Sequence, residues 1–259
     1  MAGFDNRNYA DIAVSRTQAH EIDAGLRSYM LSVYNYMAIG LAITGVVAYG
    51  FFMMAVTQDP GAAVAKLANG TMLTEFGRLL FVSPLKWVVM LAPLGMVFLL
   101  SARINKMSVS GAQLSFWVFA ALMGASLSSI FLVYTHGSIA RVFFITAASF
   151  GALSLWGYTT KKDISGWGSF LFMGLIGIII ASLVNLFLQS SALQFAVSVI
   201  GVLVFAGLTA YDTQKIKEMY YELDNSDVMG RKAIMGALSL YLDFINLFVM
   251  LLSLFGNRD

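Results

Sequence analysis

The sequence predicts an all-α membrane protein with seven transmembrane helices, and three observations predict it. Apolar residues make up 59% of the 259-residue chain. Charged residues make up 12%, about half of the ~25% in an ordinary soluble domain. Seven separate stretches are long enough, at about 20 residues each, to cross a hydrocarbon core of ~30 Å. A soluble fold of this size could not hide so much apolar surface, and a chain this hydrophobic is not disordered. The runs are apolar all round, without the alternation of a transmembrane β-strand.

Residues 1–29 are polar and carry both charge signs, among them Asp5, Arg7, Asp11, Arg16, Glu21, Asp23 and Arg27. A signal peptide would open basic and then turn apolar, so this segment reads as a cytoplasmic N-terminal tail. Residues 30–256 read as the seven-helix transmembrane domain. Span one covers 30–56, and span two covers 81–101 with Pro84 and Pro93 inside it. Spans three to seven cover 113–134, 139–159, 168–189, 193–212 and 235–255. Ala120, Gly124 and Ser128 recur every four residues on span three, and Gly174 and Gly177 recur at a three-residue spacing on span five. Small residues at such spacing let helices approach closely in lipid.

Lysine and arginine placement orients the bundle. With the N-terminus in the cytoplasm, that side holds Arg7, Arg16, Arg27, Arg103, Lys106, Lys161, Lys162, Lys215, Lys217, Arg231 and Lys232. The opposite side holds Lys66, Arg78, Lys86, Arg141 and Arg258. Eleven against five places the N-terminus inside and the C-terminus outside. The loop between spans five and six carries no charge, which fits a tight outer turn.

Several function classes fall away. A net charge of +2 without a clustered basic face gives no support for nucleic-acid binding. The absence of cysteine excludes disulfides, thiolate metal centres and cysteine nucleophiles. His20 and His136 are the two histidines, both outside the spans, so a histidine metal centre and a hydrolytic base are lacking. The chain reads as a non-enzyme without a resident cofactor.

Two acids break the apolar pattern. Twelve of the fourteen lie in tails or loops; Asp212 and Asp243 lie in spans six and seven. An ionisable group inside a membrane is expensive and is a functional candidate by default. Asp212 falls at the inner end of span six, and Asp243 falls about eight residues into span seven, roughly 12 Å deep. Thr209 and Lys215 share the helix face of Asp212, while Ser239 and Asn246 share that of Asp243. If the two acids meet, they cannot both ionise easily in a low-dielectric site, which places a proton event near physiological pH. Arg103, at the inner end of span two, is the candidate cation for such a pair, shut when ion-paired and loosened when protonated. Carboxylates also suit Ca²⁺, so Asp212 and Asp243 are candidate calcium ligands. Asn185 of span five joins Ser239 and Asn246 as a candidate secondary polar contact.

The segment GLTAYDTQKIK followed by ALSLYLDFINLFVMLLSLFG resembles the Bax inhibitor-1 (transmembrane BAX inhibitor motif) family, in its bacterial branch. SLSSIFLVYTHGSI, FGALSLWGYTTKKDISGWGSFLFMGLIG and SLVNLFLQS extend the likeness from span one to the C-terminus. The resemblance implies a last helix at the centre of the other six and a pH-sensitive calcium leak across a bacterial inner membrane. It implies that Asp212 and Asp243 form the pH sensor and that an arginine of span two engages them, placed here at Arg103. Calcium is then the permeant ion and the lipid bilayer the partner surface. The sequence has no acid within spans two or three, so permeation there would fall to backbone and hydroxyl oxygens.

Other classes carry less. Tyr211-Asp212 has the look of an intramembrane aspartyl protease, but Asp243 follows Leu-Tyr-Leu where those enzymes carry a Gly-x-Gly pattern. A secondary transporter would show an internal repeat, and none is visible. The resemblance also implies a regulatory alternative, in which the chain modulates a membrane-bound protease and the N-terminal tail is the handle. Removing residues 1–29 separates that reading from a leak.

Overall fold

The computed structural model describes residues 5–258, with side chains from residue 24 onward. Eight α-helices follow one another: α1 (Asp5–Ala55), α2 (Glu75–Phe81), α3 (Leu85–Arg103), α4 (Val109–Leu127), α5 (His136–Thr159), α6 (Trp167–Leu188), α7 (Ser191–Glu218) and α8 (Ser226–Phe255). All but α2 are long and apolar enough to cross a membrane, α1 doing so from Ala24 onward. The protein is an all-α membrane protein.

Caps set where these helices start. The side chains of Ser108, Thr135, Ser190 and Asn225 accept hydrogen bonds from the backbone N–H groups of Gly111, Ser138, Leu193 and Val228. Each satisfies a donor that the first helical turn leaves orphaned. The uncharged turn between α6 and α7 is two residues long and closes through Gln189 in the left-handed region at φ 49°. The connection between α1 and α3 holds structure that the sequence reading did not predict. Strands β1 (Val56–Thr57), β2 (Ala65–Lys66) and β3 (Met72–Leu73) form an antiparallel sheet in the order β1-β3-β2, and α2 follows. Strands of two residues leave almost no periodicity to read.

The helices overrun the apolar stretches that announced them. Span six was expected to end at Asp212, but α7 continues to Glu218. Span seven was expected from 235, but α8 begins at Ser226. Apolarity marks the hydrocarbon, whereas helical hydrogen bonding continues to the cap. The overrun also suits the charges, because Lys215 and Lys217 fall in the last turn of α7, facing its negative dipole end.

Helix α8 is the most buried span. More than half of its apolar window is enclosed, against a third or less in every other span. Its principal neighbours are α1, α4, α5 and α7, while α3 packs chiefly on α4 and α6 on α7. Four helices are thus its principal neighbours, where the resemblance implied a surround of six. Tyr241 anchors α8: its hydroxyl meets Thr44 Oγ1 at 2.5 Å, and its ring takes Phe116 and Phe119 edge-on at 5.9 and 5.2 Å. Thr44 also donates to the Ala120 carbonyl at 2.9 Å, tying α1 to α4. Close approach elsewhere depends on glycine. A Cβ at Gly124 would lie 2.6 Å from the Thr44 carbonyl oxygen, and one at Gly157 would lie 2.4 Å from that of Ala210.

Candidate functional site: an intramembrane aspartate pair

The antiparallel register of α7 on α8 decides whether the two acids meet. Ser198 donates to Ser253 at 3.0 Å, a Cβ at Gly201 would touch Met250, Ile216 faces Gly236, and Lys232 donates to the Met219 carbonyl at 2.9 Å. In this register α8 projects beyond the end of α7. Asp212, six residues before the end of α7, therefore comes level with the turn of α8 that carries Ser239 and Asp243. The carboxyl groups of Asp212 and Asp243 lie within side-chain hydrogen-bonding reach of each other. The seventeen residues of α8 that precede Asp243 replace the eight expected from the apolar run.

Asp243 is 5% exposed and Asp212 is half-buried. Asp243 Oδ2 is buried without a hydrogen-bond partner among the described residues. Buried polar atoms are almost always satisfied, and a proton held between two carboxyls supplies a donor.

The rest of this α7 segment turns the other way and fastens α7 to α5. Ser154 Oγ meets Thr213 Oγ1 at 2.9 Å and Tyr34 Oη at 2.6 Å, so one hydroxyl chain joins α1, α5 and α7. Gln214 receives the Ile164 N–H at 2.9 Å and donates to the Lys162 carbonyl at 2.8 Å, pinning the connection between α5 and α6. Lys217 donates to the Tyr158 carbonyl at 2.9 Å. Positions 213, 214 and 217 share one helix face, and Asp212 points off it towards α8. The sequence reading passed over these three residues. Their signal was a run of hydrogen-bonding side chains continuing in helical spacing past Asp212.

The other anticipated contacts do not converge on the pair. Asn246 donates to the Leu242 carbonyl of its own helix at 2.8 Å, and Thr209 to the Phe205 carbonyl at 2.7 Å. Ser239 is half-buried and shares the Asp243 face without a hydrogen bond to either acid among the described residues. Lys215 is exposed, stands 6.0 Å over the Tyr211 ring, and contributes charge near Asp212 without a salt bridge. Asn185 lies at the opposite end of the bundle. It accepts from the Ser190 N–H at 2.9 Å and donates to Gln194 at 3.2 Å, some 27 Å along α7 from Asp212. Arg103 ends α3, exposed, with no salt bridge among the described residues, and the structure does not bring it to the aspartates.

The donor set bears on calcium as well. Among the described residues no three His, Cys, Asp or Glu side chains gather in one place. Two carboxyls offer at most four oxygens, where a resident Ca²⁺ takes six to eight. The nearby hydroxyls of Thr209 and Thr213 are committed to backbone or to Ser154. The pair alone does not supply the oxygens of a closed calcium cage.

A family model described as inhibitor of apoptosis-promoting Bax1 matches residues 26–259. The chain belongs to the Bax inhibitor-1 family. Its Bax inhibitor-1 match takes in all seven spans and both aspartates. Inner membrane protein YbhL of Escherichia coli K12 is 49% identical over 91% of this chain and 94% of its own length. Protein RP147 of Rickettsia prowazekii is 47% identical over 97% of this chain and 98% of its own. A membrane protein of Streptococcus pyogenes serotype M3 is 35% identical over 92% of this chain and 96% of its own.

Proposed function

We propose that this chain is a pH-sensitive cation leak of a bacterial inner membrane, with calcium as its permeant ion and the Asp212–Asp243 pair as its proton sensor. The observation that carries the reading is the contact between two carboxyls, one of them buried, across the seam between α7 and the most enclosed helix. Two adjoining acids hold one proton more readily than they bear two charges. Gain or loss of that proton changes how tightly α7 can sit on α8. That makes the seam a two-state element biased by pH. The N-terminus faces the cytoplasm in this account, so the pair lies nearer the cytoplasmic side, where it samples cytoplasmic pH. Arg103, at the same end of the bundle, is the counter-ion for the ionised state and reaches the pair after a shift of α3. The pathway is passive and uses no enzymatic chemistry.

Purified protein in calcium-free liposomes, with an internal dye, tests the reading. Wild type is expected to admit Ca²⁺ in a pH-dependent way between roughly pH 6 and pH 8, and D212N/D243N to lose that dependence. Absence of flux at every pH, from protein of normal helicity and a single size in detergent, would overturn the leak. Regulation of a membrane-bound protease would then be the leading reading.

A further inference from the structure

A second site lies between α1 and α5. These helices run antiparallel with Tyr34 opposite Ser154, and neither is a principal neighbour of the other. A cleft of about 450 Å³ separates them, with Phe244 of α8 as part of its floor. On α1 it runs from Arg27 to Leu41, fourteen residues or about 21 Å of helix. Half of a ~30 Å hydrocarbon core is about 15 Å, so the cleft spans one leaflet and its interface.

The walls are hydrocarbon in character. Met30, Met37, Leu41 and Phe150 line the cleft, and two of its three hydroxyls, on Tyr34 and Ser154, are already bonded to each other, the third being that of Tyr158. Leu31 and Leu155 on the rim are 52% and 63% exposed, which leaves the slot open sideways to the bilayer. The mouth is of opposite character. Arg27 stands there, exposed. Tyr158 also lines the cleft, and Lys217, outside the lining, sits 5.3 Å over its ring, with its hydrogen bond going to a neutral carbonyl rather than to an acid.

The geometry points to an anionic phospholipid as the occupant of this cleft, one acyl chain between α1 and α5 and its phosphate on Arg27 and Lys217. Charge complementarity at the mouth and an apolar slot one leaflet deep select a lipid over free phosphate, which would find no use for the slot. The seated chain lies against the Tyr34–Ser154–Thr213 hydroxyl chain, next in sequence to Asp212, so the cleft and the aspartate pair share a wall. The lipid site stands independently of the leak, because its test reads binding and not flux.

Full-length protein exchanged into mild detergent is to be given phosphatidylglycerol and phosphatidylcholine of identical chains, and retained lipid counted by native mass spectrometry. Wild type is expected to retain phosphatidylglycerol in preference. R27Q and K217Q are each expected to lower that preference about fivefold, the worth of one basic residue at an anionic membrane surface. Gly151 lines the cleft, and a Cβ there meets nothing within 4 Å, so G151F fills the slot without a backbone clash. It is expected to abolish retention of either lipid. Gly177 of α6 has equally open surroundings outside the cleft, and G177F is expected to behave as wild type. Equal retention of the two lipids by wild type would overturn the phosphate assignment. Retention by G151F at the wild-type level, or a loss in G177F matching that in G151F, would overturn the cleft as the site.

Discussion

Replacing Gly157 by alanine separates close helix contact from helix propensity. Gly157 of α5 faces α7 at Ala210, and an added Cβ would lie 2.4 Å from the Ala210 carbonyl oxygen and 3.0 Å from its carbonyl carbon. Ordinary contact starts near 3.4 Å, so α5 and α7 must part by about 1 Å. The obstacle is backbone, which cannot rotate away. One turn earlier on α5, the Ser154–Thr213 bond of 2.9 Å would stretch to about 3.9 Å and be lost. Overpacking costs about 1–3 kcal/mol and the lost bond about 1 kcal/mol, against a helix-propensity gain of up to ~1 kcal/mol. The net is a destabilisation of about 2 kcal/mol, or roughly 5 °C in Tm. Gly151 is the internal control: it lies on the same helix, where a Cβ meets nothing within 4 Å. G151A is expected to match or slightly exceed wild type. Thermal unfolding of both variants in detergent, followed by circular dichroism, is the assay. Equal melting of G157A and G151A would refute the close-packing argument at the α5–α7 seam.

Other outcomes follow from the same structure. Q214A removes both hydrogen bonds that hold residues 162–164 and is expected to speed protease cleavage of the α5–α6 connection while leaving the helical content intact. Arg78 bonds Glu75 and holds its carboxyl below the usual range, and the Ser165 hydroxyl and N–H do the same for Asp163. The contributions of these loop acids are complete above the ordinary carboxylate range and fade only as pH falls through their lowered values. E75Q and D163N are therefore expected to leave any flux profile between roughly pH 6 and pH 8 where it is. R103A is expected to shift that profile rather than abolish flux, and abolition would remove Arg103 from its place as counter-ion.

The seven spans and the isolation of Asp212 and Asp243 were legible because lipid imposes a coarse rule: apolar runs of fixed length, with every exception costly. The meeting of the two acids was not legible. It depends on how far α7 and α8 extend beyond the hydrocarbon, and that is set by Asn225 and the lysines of the last turn of α7, not by hydropathy. Asn185 was ambiguous for a related reason, as a helix–helix hydrogen bond or a contact of the pair, and it makes the former, to Gln194. A polar residue in an apolar run reads alike whether it caps a turn or lines a path, and here it closes the α6–α7 turn. Thr213, Gln214 and Lys217 were overlooked because ordinary polar residues at a helix end look solvated, whereas these three are spent on α5 and its connection. The choice of α1, α4, α5 and α7 as principal neighbours of α8 depends on bundle order, which single-span patterns do not encode.

The central claim is that Asp212 and Asp243 share a proton whose exchange opens the seam. The most direct measurement is infrared difference spectroscopy of the reconstituted protein across roughly pH 6 to pH 8, with calcium flux recorded on the same proteoliposomes. The account predicts a protonated-carboxyl band that titrates with the same midpoint as the flux and vanishes in both D212N and D243N. A band that persists in either variant, or a midpoint displaced from that of the flux, would contradict it.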